Sequence, residues 1–244
     1  GTVSGLGIWG GAERARRRDL RTIGGVAVGT SRTGYCIIAA KAVMQNPGGW
    51  VSNGGRGRAE LSSIGDVLTN PVARAAFPHT IFACFMVSAG LIITVAAWHL
   101  SRNQYLDTMR PALKLGLWMM VVSGALTTLA GDQLSLVMVD TQPMKMAAAE
   151  AMYETSTGYD ASVAIFTLGT PDGVHELFSI RIPYLLSFLS THTFDGTVEG
   201  INDLQAQYET IYGPGDYTPI IWVTYWSFRW MIGLGALAAL VSAV

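Results

Sequence analysis

The feature that most constrains how this chain can fold is a set of three apolar stretches, each long enough to cross a lipid bilayer as a helix. They cover about residues 77–100, 113–130 and 219–244, and a helix needs about twenty residues to cross the hydrocarbon core. Only 14% of the 244 residues are charged, whereas about a quarter is usual in a soluble domain. The pattern predicts an all-α fold, a polytopic transmembrane helix bundle.

A fourth segment, residues 23–42, is a weaker candidate span because Arg32 lies near its middle, where a charge is costly unless it is paired. Basic residues precede it between positions 14 and 21, and others lie between the first two strong candidates, at Arg102, Arg110 and Lys114. Positive residues mark the cytoplasmic side of a membrane. Only a helix over residues 23–42 places both basic segments on that side, so we expect about four spans.

These spans divide the chain into seven segments. In chain order they are a basic cytoplasmic segment with a weak transmembrane helix (1–43), an outer loop (44–70), a transmembrane helix (71–100), a cytoplasmic loop (101–112), a second strong helix (113–131), a long outer loop (132–217) and a last helix (218–244). The chain begins with Gly1 and ends at Val244 inside an apolar run. We therefore expect the functional protein to be longer.

His79 is the one histidine that lies at depth in a predicted span, and Met231 is a possible partner. A helix that begins at Asn70-Pro71 places His79 about 12 Å along its axis. A helix that begins at Thr218-Pro219 places Met231 about 18 Å along its axis, from the same outer side. Histidine and methionine are the axial ligands of a low-spin, six-coordinate haem. The alternatives are a hydrogen-bonded histidine within the bundle and a methionine that fills the core.

Three charged residues add candidate chemistry. Arg229 lies within the last span and should face an anion, either a haem propionate or a carboxylate of a neighbouring helix. Lys145 and Glu150 lie five residues apart in the outer loop, which places them about 140° apart on a helix, too far for an intrahelical ion pair. The acid could take protons from a hydroquinone and the lysine could hold a quinone oxygen. The pattern by itself favours a solvated amphipathic helix. Neither a nucleotide-binding loop nor a zinc-binding motif is present in the sequence.

Several motifs, in one order, resemble subunit I of the cytochrome bd quinol oxidases over about residues 44–233. They are MQNPGGW (44–50), LTNPVARAAFPHT (68–80), GDQ (131–133), QPMKMAAAEAMYET (142–155), FTLGTPDGVHELFSIRIPYLLSFL (166–189), VEGINDLQ (198–205) and YTPIIWVTYWSFRWMIG (217–233). Their common order makes the resemblance specific.

The resemblance implies an activity, cofactors and partners. The family oxidises quinol at the outer face of the bacterial cell membrane, reduces dioxygen to water and contributes to the proton gradient. His79 and Met231 correspond to the axial ligands of a low-spin haem b of the b558 type, and Arg229 to an arginine near that haem. Lys145 and Glu150 correspond to quinol-binding residues in a short form of the quinol loop. High-spin haem b and haem d are expected in the complete subunit, and subunit II and small accessory subunits are the expected partners.

The chain also departs from the family. The family's first haem-ligating histidine, the acidic residues of its third helix and its last helices have no counterpart here, so no residue of this chain is assigned to oxygen chemistry. In residues 1–42, expected aromatic and aliphatic positions hold Gly, Arg and Thr. Two other hypotheses stand beside an oxidase: a degenerate or structural assembly protein derived from the family without turnover, and a transporter with Arg229 and His79 on the substrate path.

Overall fold

The computed structural model describes residues 16–53, 58–170 and 175–244. The chain divides into two compact units, Gly1–Phe77 and Pro78–Val244. The described residues are mostly helical, which confirms the predicted fold class. Arg14 and the start of the predicted segment 1–43 lie outside the described residues.

The first unit contains one long helix followed by short elements. Helix α1 (Arg16–Gln45) includes the whole of the predicted weak span. Strands β1 (Trp50–Asn53) and β2 (Arg58–Leu61) pair antiparallel, and α2 (Ile64–Leu68) follows them. Helix α1 is long enough to cross a bilayer, at about 1.5 Å per residue, but within the described part of the chain it is not among the helices that are also apolar enough. The fourth span therefore stays a prediction.

Asn70 starts the next helix, α3 (Pro71–Ser101), as the sequence predicts. Its side-chain oxygen accepts a hydrogen bond from the backbone N–H of Val72 at 3.0 Å. Its amide donates to the carbonyl of Asn46 at 2.8 Å. The first of these bonds satisfies a helix N–H that has no partner within the helix.

Three stretches are long and apolar enough to cross a membrane: Ile64–Ser101, which contains α3, Leu106–Thr141, which is α4, and Ile221–Ala243, which is α8. They confirm the three strong candidates. Helix α4 extends well beyond the predicted 113–131 because apolar residues continue from Leu134 to Val139. Its end therefore projects about 15 Å into the predicted outer loop.

Glycines let the membrane helices of the second unit approach closely. A Cβ atom on Gly116 of α4 would lie 2.9 Å from the side chain of Ile93 on α3. A Cβ atom on Gly124 would lie 2.9 Å from that of Ala239 on α8. Small residues at such contacts are the usual means by which membrane helices pack.

The long loop that is predicted to lie outside has defined structure. In chain order it contains α5 (Pro143–Glu150), β3 (Ser156–Thr157), β4 (Val163–Gly169), β5 (Glu176–Ile182), α6 (Leu185–Thr191), β6 (Thr197–Val198) and α7 (Ile201–Tyr212). Strands β4 and β5 form an antiparallel hairpin, and β3 pairs with β6. These small sheets are additions to a helical fold that the sequence analysis did not predict.

The last helix begins later than predicted. It starts at Ile221, after Ile220 at the cap position, and no side chain caps it. The Thr218 hydroxyl donates to the Asp216 carboxylate at 2.6 Å instead, so the predicted start at Thr218-Pro219 is wrong. Measured from Ile221, Met231 lies about 15 Å along α8, closer to the 12 Å of His79 along α3.

The largest buried cluster lies where the loop packs on α8. It joins α5 and the segment after it to the hairpin, α6, α7 and the first turns of α8. Its most deeply buried large side chains are Leu186, Ile201, Leu204 and Tyr225. This core fixes the loop against the first turns of a membrane helix.

Candidate functional site

Helix α5 places Glu150 inside the protein. Proline at its first turn and the run MKMAAAE favour a short helix. Ala147 and Ala148 are almost fully buried, since their small side chains let neighbouring elements approach. The interpretation of this segment as a solvated amphipathic helix is therefore wrong, because only Lys145 of α5 is exposed.

Glu150 and Arg229 form a buried ion pair between the loop and α8. Arg229 Nη2 donates to Glu150 Oε2 at 2.5 Å, and the side chains are 13% and 5% exposed, respectively. The guanidinium also lies over the ring of Tyr225, 5.0 Å from its centre. The sequence analysis considered two anionic partners for Arg229, a haem propionate and a carboxylate, and the structure shows the carboxylate of Glu150. Its Nε atom is buried and has no hydrogen-bond partner in the part of the chain that is described.

Two opposed effects act on the Glu150 carboxyl. Burial raises its pKa because the charged form loses its hydration, and the positive charge and hydrogen bond of Arg229 offset only part of this rise. The pKa of Glu150 therefore lies above its usual value. Such a carboxyl holds a proton more readily than one in water does.

Lys145 does not join this pair. Its side chain is exposed on the other face of α5, as the five-residue spacing predicts. Two functional residues proposed from the sequence therefore lie in different environments, one in the buried core and one on the surface.

His79 is oriented by the neighbouring helix α4. Its Nδ1 atom lies 3.1 Å from the carbonyl oxygen of Thr127. Because a carbonyl can only accept, Nδ1 carries the hydrogen, and the lone pair of Nε2 is left available. Gly131, one turn further along α4, makes room for the ring, since a Cβ atom there would lie 3.2 Å from Nδ1. This is the arrangement in which a histidine binds a metal through Nε2.

Met231 lies on the exposed side of α8, with 51% of its surface accessible. No cluster of three or more metal-ligating His, Cys, Asp or Glu side chains is found among the described residues. A haem needs only one ligand on each face, so a histidine with a free Nε2 and a methionine thioether are a suitable donor set.

Arg181 is a residue that the sequence analysis missed. From β5 it pairs with Glu176 and donates to the carbonyl of Ala151 at 3.0 Å and to that of Ser162 at 3.3 Å. It thus fastens the hairpin to the chain that leaves α5, directly after Glu150. The only feature of the sequence that could have indicated this role is the position of Arg181 in FSIRIPY, where apolar and polar residues alternate as in a strand.

A second pair missed by sequence reasoning joins α4 to the end of α6. His192 Nε2 lies 3.3 Å from Asp132 Oδ2. Both side chains are partly exposed. The pair holds the second half of the loop near the C-terminal end of α4.

The fold and site define a class: a polytopic membrane protein in which a long folded loop packs on a membrane helix, with a buried acid and a histidine whose Nε2 is free. The chain belongs to the cytochrome bd terminal oxidase subunit I family, whose family model matches residues 2–244.

Similar proteins agree with this assignment. Cytochrome bd ubiquinol oxidase subunit 1 of Bacillus subtilis (strain 168) is 34% identical over 98% of this chain and 50% of its own length. Cytochrome bd-II ubiquinol oxidase subunit 1 of Escherichia coli (strain K12) is 27% identical over 84% of this chain and 40% of its own. A solved chain of the bd oxidase from Geobacillus thermodenitrificans superposes with a TM-score of 0.84 at 25% identity, over 100% of this chain and 53% of that one. The chain spans about half the length of these relatives or less.

Proposed function

We propose that this chain forms the quinol-oxidising, first electron-accepting part of a bacterial respiratory oxidase that reduces dioxygen to water. The observation that carries the proposal is the buried Glu150–Arg229 pair, which joins the outer loop to a membrane helix. The names of the Bacillus subtilis and Escherichia coli relatives, both ubiquinol oxidase subunits, support it. The proposed location is the bacterial cell membrane, and the proposed partners are subunit II and small accessory subunits.

Glu150 is the proposed proton acceptor. Oxidation of one hydroquinone to quinone releases two electrons and two protons. A carboxyl whose pKa is raised by burial can take such a proton nearer to neutral pH than an ordinary glutamate can. Arg229 keeps enough of the charged form present to accept it. Release of these protons on the outer side would contribute to the proton gradient.

His79 and Met231 are the proposed ligands of a low-spin haem b. The bond from His79 Nδ1 to Thr127 leaves Nε2 free for iron, and the exposed Met231 thioether can be the second ligand. The unpaired Nε of Arg229 could donate to a haem propionate while Nη2 holds Glu150. A haem bound there supplies reversible one-electron chemistry. High-spin haem b and haem d belong to parts of the complete subunit that are not assigned to residues here.

Lys145 is the proposed polar contact for a quinol oxygen. Its exposed position on α5 means that a quinol bound to it lies outside the core that contains Glu150. The two residues therefore have separable roles, quinol binding for Lys145 and proton acceptance for Glu150. A Lys145 variant should raise KM, and a Glu150 variant should lower kcat.

A comparison of two reductants tests this proposal in the full-length oxidase with its partner subunits. Dithionite reduces haem directly, whereas quinol must first pass electrons and protons to the loop. In Glu150→Gln we expect dithionite to produce the full b-type signal. We expect quinol to reduce the haem at least about tenfold more slowly than in the wild type. The exposed Glu199→Gln is the matched control and should behave as the wild type. Wild-type rates of quinol-driven reduction in Glu150→Gln would contradict the role of Glu150.

A further inference from the structure

One face of the β4–β5 hairpin consists of large apolar side chains. Cross-strand partners in an antiparallel pair share a face. The pairs that form this apolar face are Val163 with Ile182, Phe166 with Ile180, and Leu168 with Phe178. Phe178 and Ile180 are each 53% exposed, and Leu168 is 48% exposed. Most of the apolar face is therefore left uncovered by the described part of the chain.

The opposite face of the hairpin packs on the core, although it carries polar side chains. Ala164 and Thr167 are buried there, and the Thr167 hydroxyl donates to the carbonyl of Phe178 at 3.3 Å. Arg181 donates to two backbone carbonyls of the segment after α5. An antiparallel sheet with one side in water normally has the reverse arrangement, with apolar side chains toward the core and polar ones toward water. This inversion indicates that the apolar face does not meet water.

The apolar face also carries no charge. Glu176 and Arg181 are the only charged residues in the sequences of β4 and β5, and they pair with each other. A contiguous exposed apolar surface of this kind marks a site of contact with another protein or with lipid.

The position of the apolar face beside α8 favours lipid. The ring centre of Phe166 lies 6.3 Å from that of Phe178 within the face and 5.3 Å from that of Trp226 on α8. Helix α8 starts at Ile221, so Trp226 lies about 8 Å along its axis. This helix is long and apolar enough to cross a membrane. The apolar face therefore lies at the level where α8 would enter the bilayer.

Tryptophans extend this surface along α8. Trp222, Trp226 and Trp230 follow one another at four-residue spacing, so they lie along one side of the helix. Trp222 is 70% exposed and Trp230 is 61% exposed. Tryptophan collects at the interface between membrane and water. The apolar face and these tryptophans together form a surface that suits the interfacial layer of a bilayer.

We propose that the apolar face of the hairpin binds the lipid surface, with its side chains in the interfacial layer beside the first two turns of α8. Amphipathic helices that lie on membranes bury their apolar side about 5–10 Å deep, and we expect a similar depth for the hairpin. The contacts of Arg181 then connect the rest of the loop to this anchor. The inference goes beyond the proposed function, because it concerns how the loop is held to the membrane and not quinol or haem chemistry.

Fluorescence quenching in the full-length oxidase, reconstituted with its partner subunits in lipid nanodiscs, tests the inference. All native cysteines, including Cys36 and Cys84, are replaced by serine, and a polarity-sensitive fluorophore is attached at Ile180→Cys. We expect a phospholipid with a quenching group just below its headgroup to remove most of the emission, and aqueous iodide to remove little. Gln207→Cys is the matched control, since Gln207 is exposed on α7, and its label should respond to iodide and not to the lipid.

Two results with the Ile180→Cys label would overturn the inference. Quenching by iodide as strong as in Gln207→Cys would show that the apolar face meets water. Protection from both quenchers would show that another protein segment covers it, either the rest of the subunit or a partner subunit. Leu168→Cys places the label on β4 of the same face and is subject to the same criteria if Ile180→Cys fails to fold.

A measurement on the wild type keeps the test decisive if neither labelled variant folds. A phospholipid with a photoreactive group just below its headgroup is irradiated with the oxidase in nanodiscs, and the lipid adducts are mapped by mass spectrometry. We expect adducts on β4 and β5 and none on α7. The absence of adducts from the hairpin would overturn the inference.

Discussion

At the scale of single residues, the Glu150 carboxyl is balanced between two influences. Burial raises its pKa, and Arg229 lowers it by a smaller amount. A buried ion pair of this kind has a modest net effect on stability, but loss of one partner leaves an uncompensated charge. The arrangement is suited to control protonation.

Removal of the Arg229 charge should shift the pH dependence of quinol oxidation. In Arg229→Met the charge and the hydrogen bond that most lower the pKa of Glu150 are lost. Burial is then opposed only by the charge of Arg181, so this pKa should rise further. Because the charged form is the proposed proton acceptor, activity should begin to fall at a higher pH as the solution is acidified. Arg229→Lys keeps a positive charge and should retain a profile closer to the wild type. A profile of kcat against pH measures this, with the b-type spectrum recorded in parallel. If kcat fell at the same acidic pH in Arg229→Met and in the wild type, this result would contradict the proposal that Arg229 lowers the pKa of Glu150.

Gly131 should be required for haem binding by His79. A Cβ atom there would lie 3.2 Å and 3.3 Å from two atoms of the imidazole, Nδ1 and Cε1, so a branched side chain must displace the ring. We expect Gly131→Val to lose most of the b-type absorbance. Gly90→Ala is the control, because its Cβ would make only an ordinary contact, 3.7 Å from Met120. A normal spectrum in Gly131→Val would show that the position of the ring does not depend on this space.

At the scale of elements, Arg181 connects the β4–β5 hairpin to the end of α5. Arg181→Met removes its bonds to two backbone carbonyls and its pair with Glu176. Hydrogen bonds from a charged group contribute roughly 1.5–3 kcal/mol. We expect hydrogen exchange in β4 and β5 to become about tenfold faster, while exchange within α3 and α4 stays unchanged. Unaltered protection of the hairpin would contradict the anchoring role of Arg181.

The same pair should make the hairpin sensitive to acid. Burial tends to raise the pKa of Glu176, but hydrogen bonds from Arg181 and Ser179 outweigh it and hold the pKa below the usual value. A lowered carboxyl pKa contributes stability above the ordinary pKa of 4.5, and this contribution is lost as the pH falls through the lower folded value. Hairpin protection should therefore decrease below about pH 4.5 in the wild type. In Glu176→Gln this decrease should be absent, and its persistence would assign the effect to another group.

Sequence patterns predicted some elements and could not predict others, for physical reasons. Asn70-Pro71 combines a cap with a proline that starts a helix, and the predicted start of α3 is confirmed. Thr218-Pro219 has the same pattern, but Asp216 competes for the threonine hydroxyl, so α8 starts at Ile221. The burial of α5 depends on contacts with distant segments, which its Ala-rich sequence does not reveal. The partner of Arg229 was likewise undecided between two anions until Glu150 was located beside it.

At the scale of the whole molecule, this chain corresponds to about half of a cytochrome bd subunit I or less, measured against its relatives. The second unit, Pro78–Val244, nevertheless contains every residue proposed for quinol oxidation and the first haem. The pair proposed to handle protons lies where the loop packs on α8, and His79 is oriented by α4. Proton release and electron acceptance are thus assigned to different elements of one compact unit.

The reduced-minus-oxidised absorption spectrum of the full-length protein, recorded beside a His79→Ala variant, tests whether this chain holds a low-spin haem through His79. We expect a low-spin b-type signal in the wild type, with a loss of that signal in the variant while the protein still folds in detergent. Folded wild-type protein without the signal, or an unchanged signal in His79→Ala, would contradict the assignment of His79 as a haem ligand.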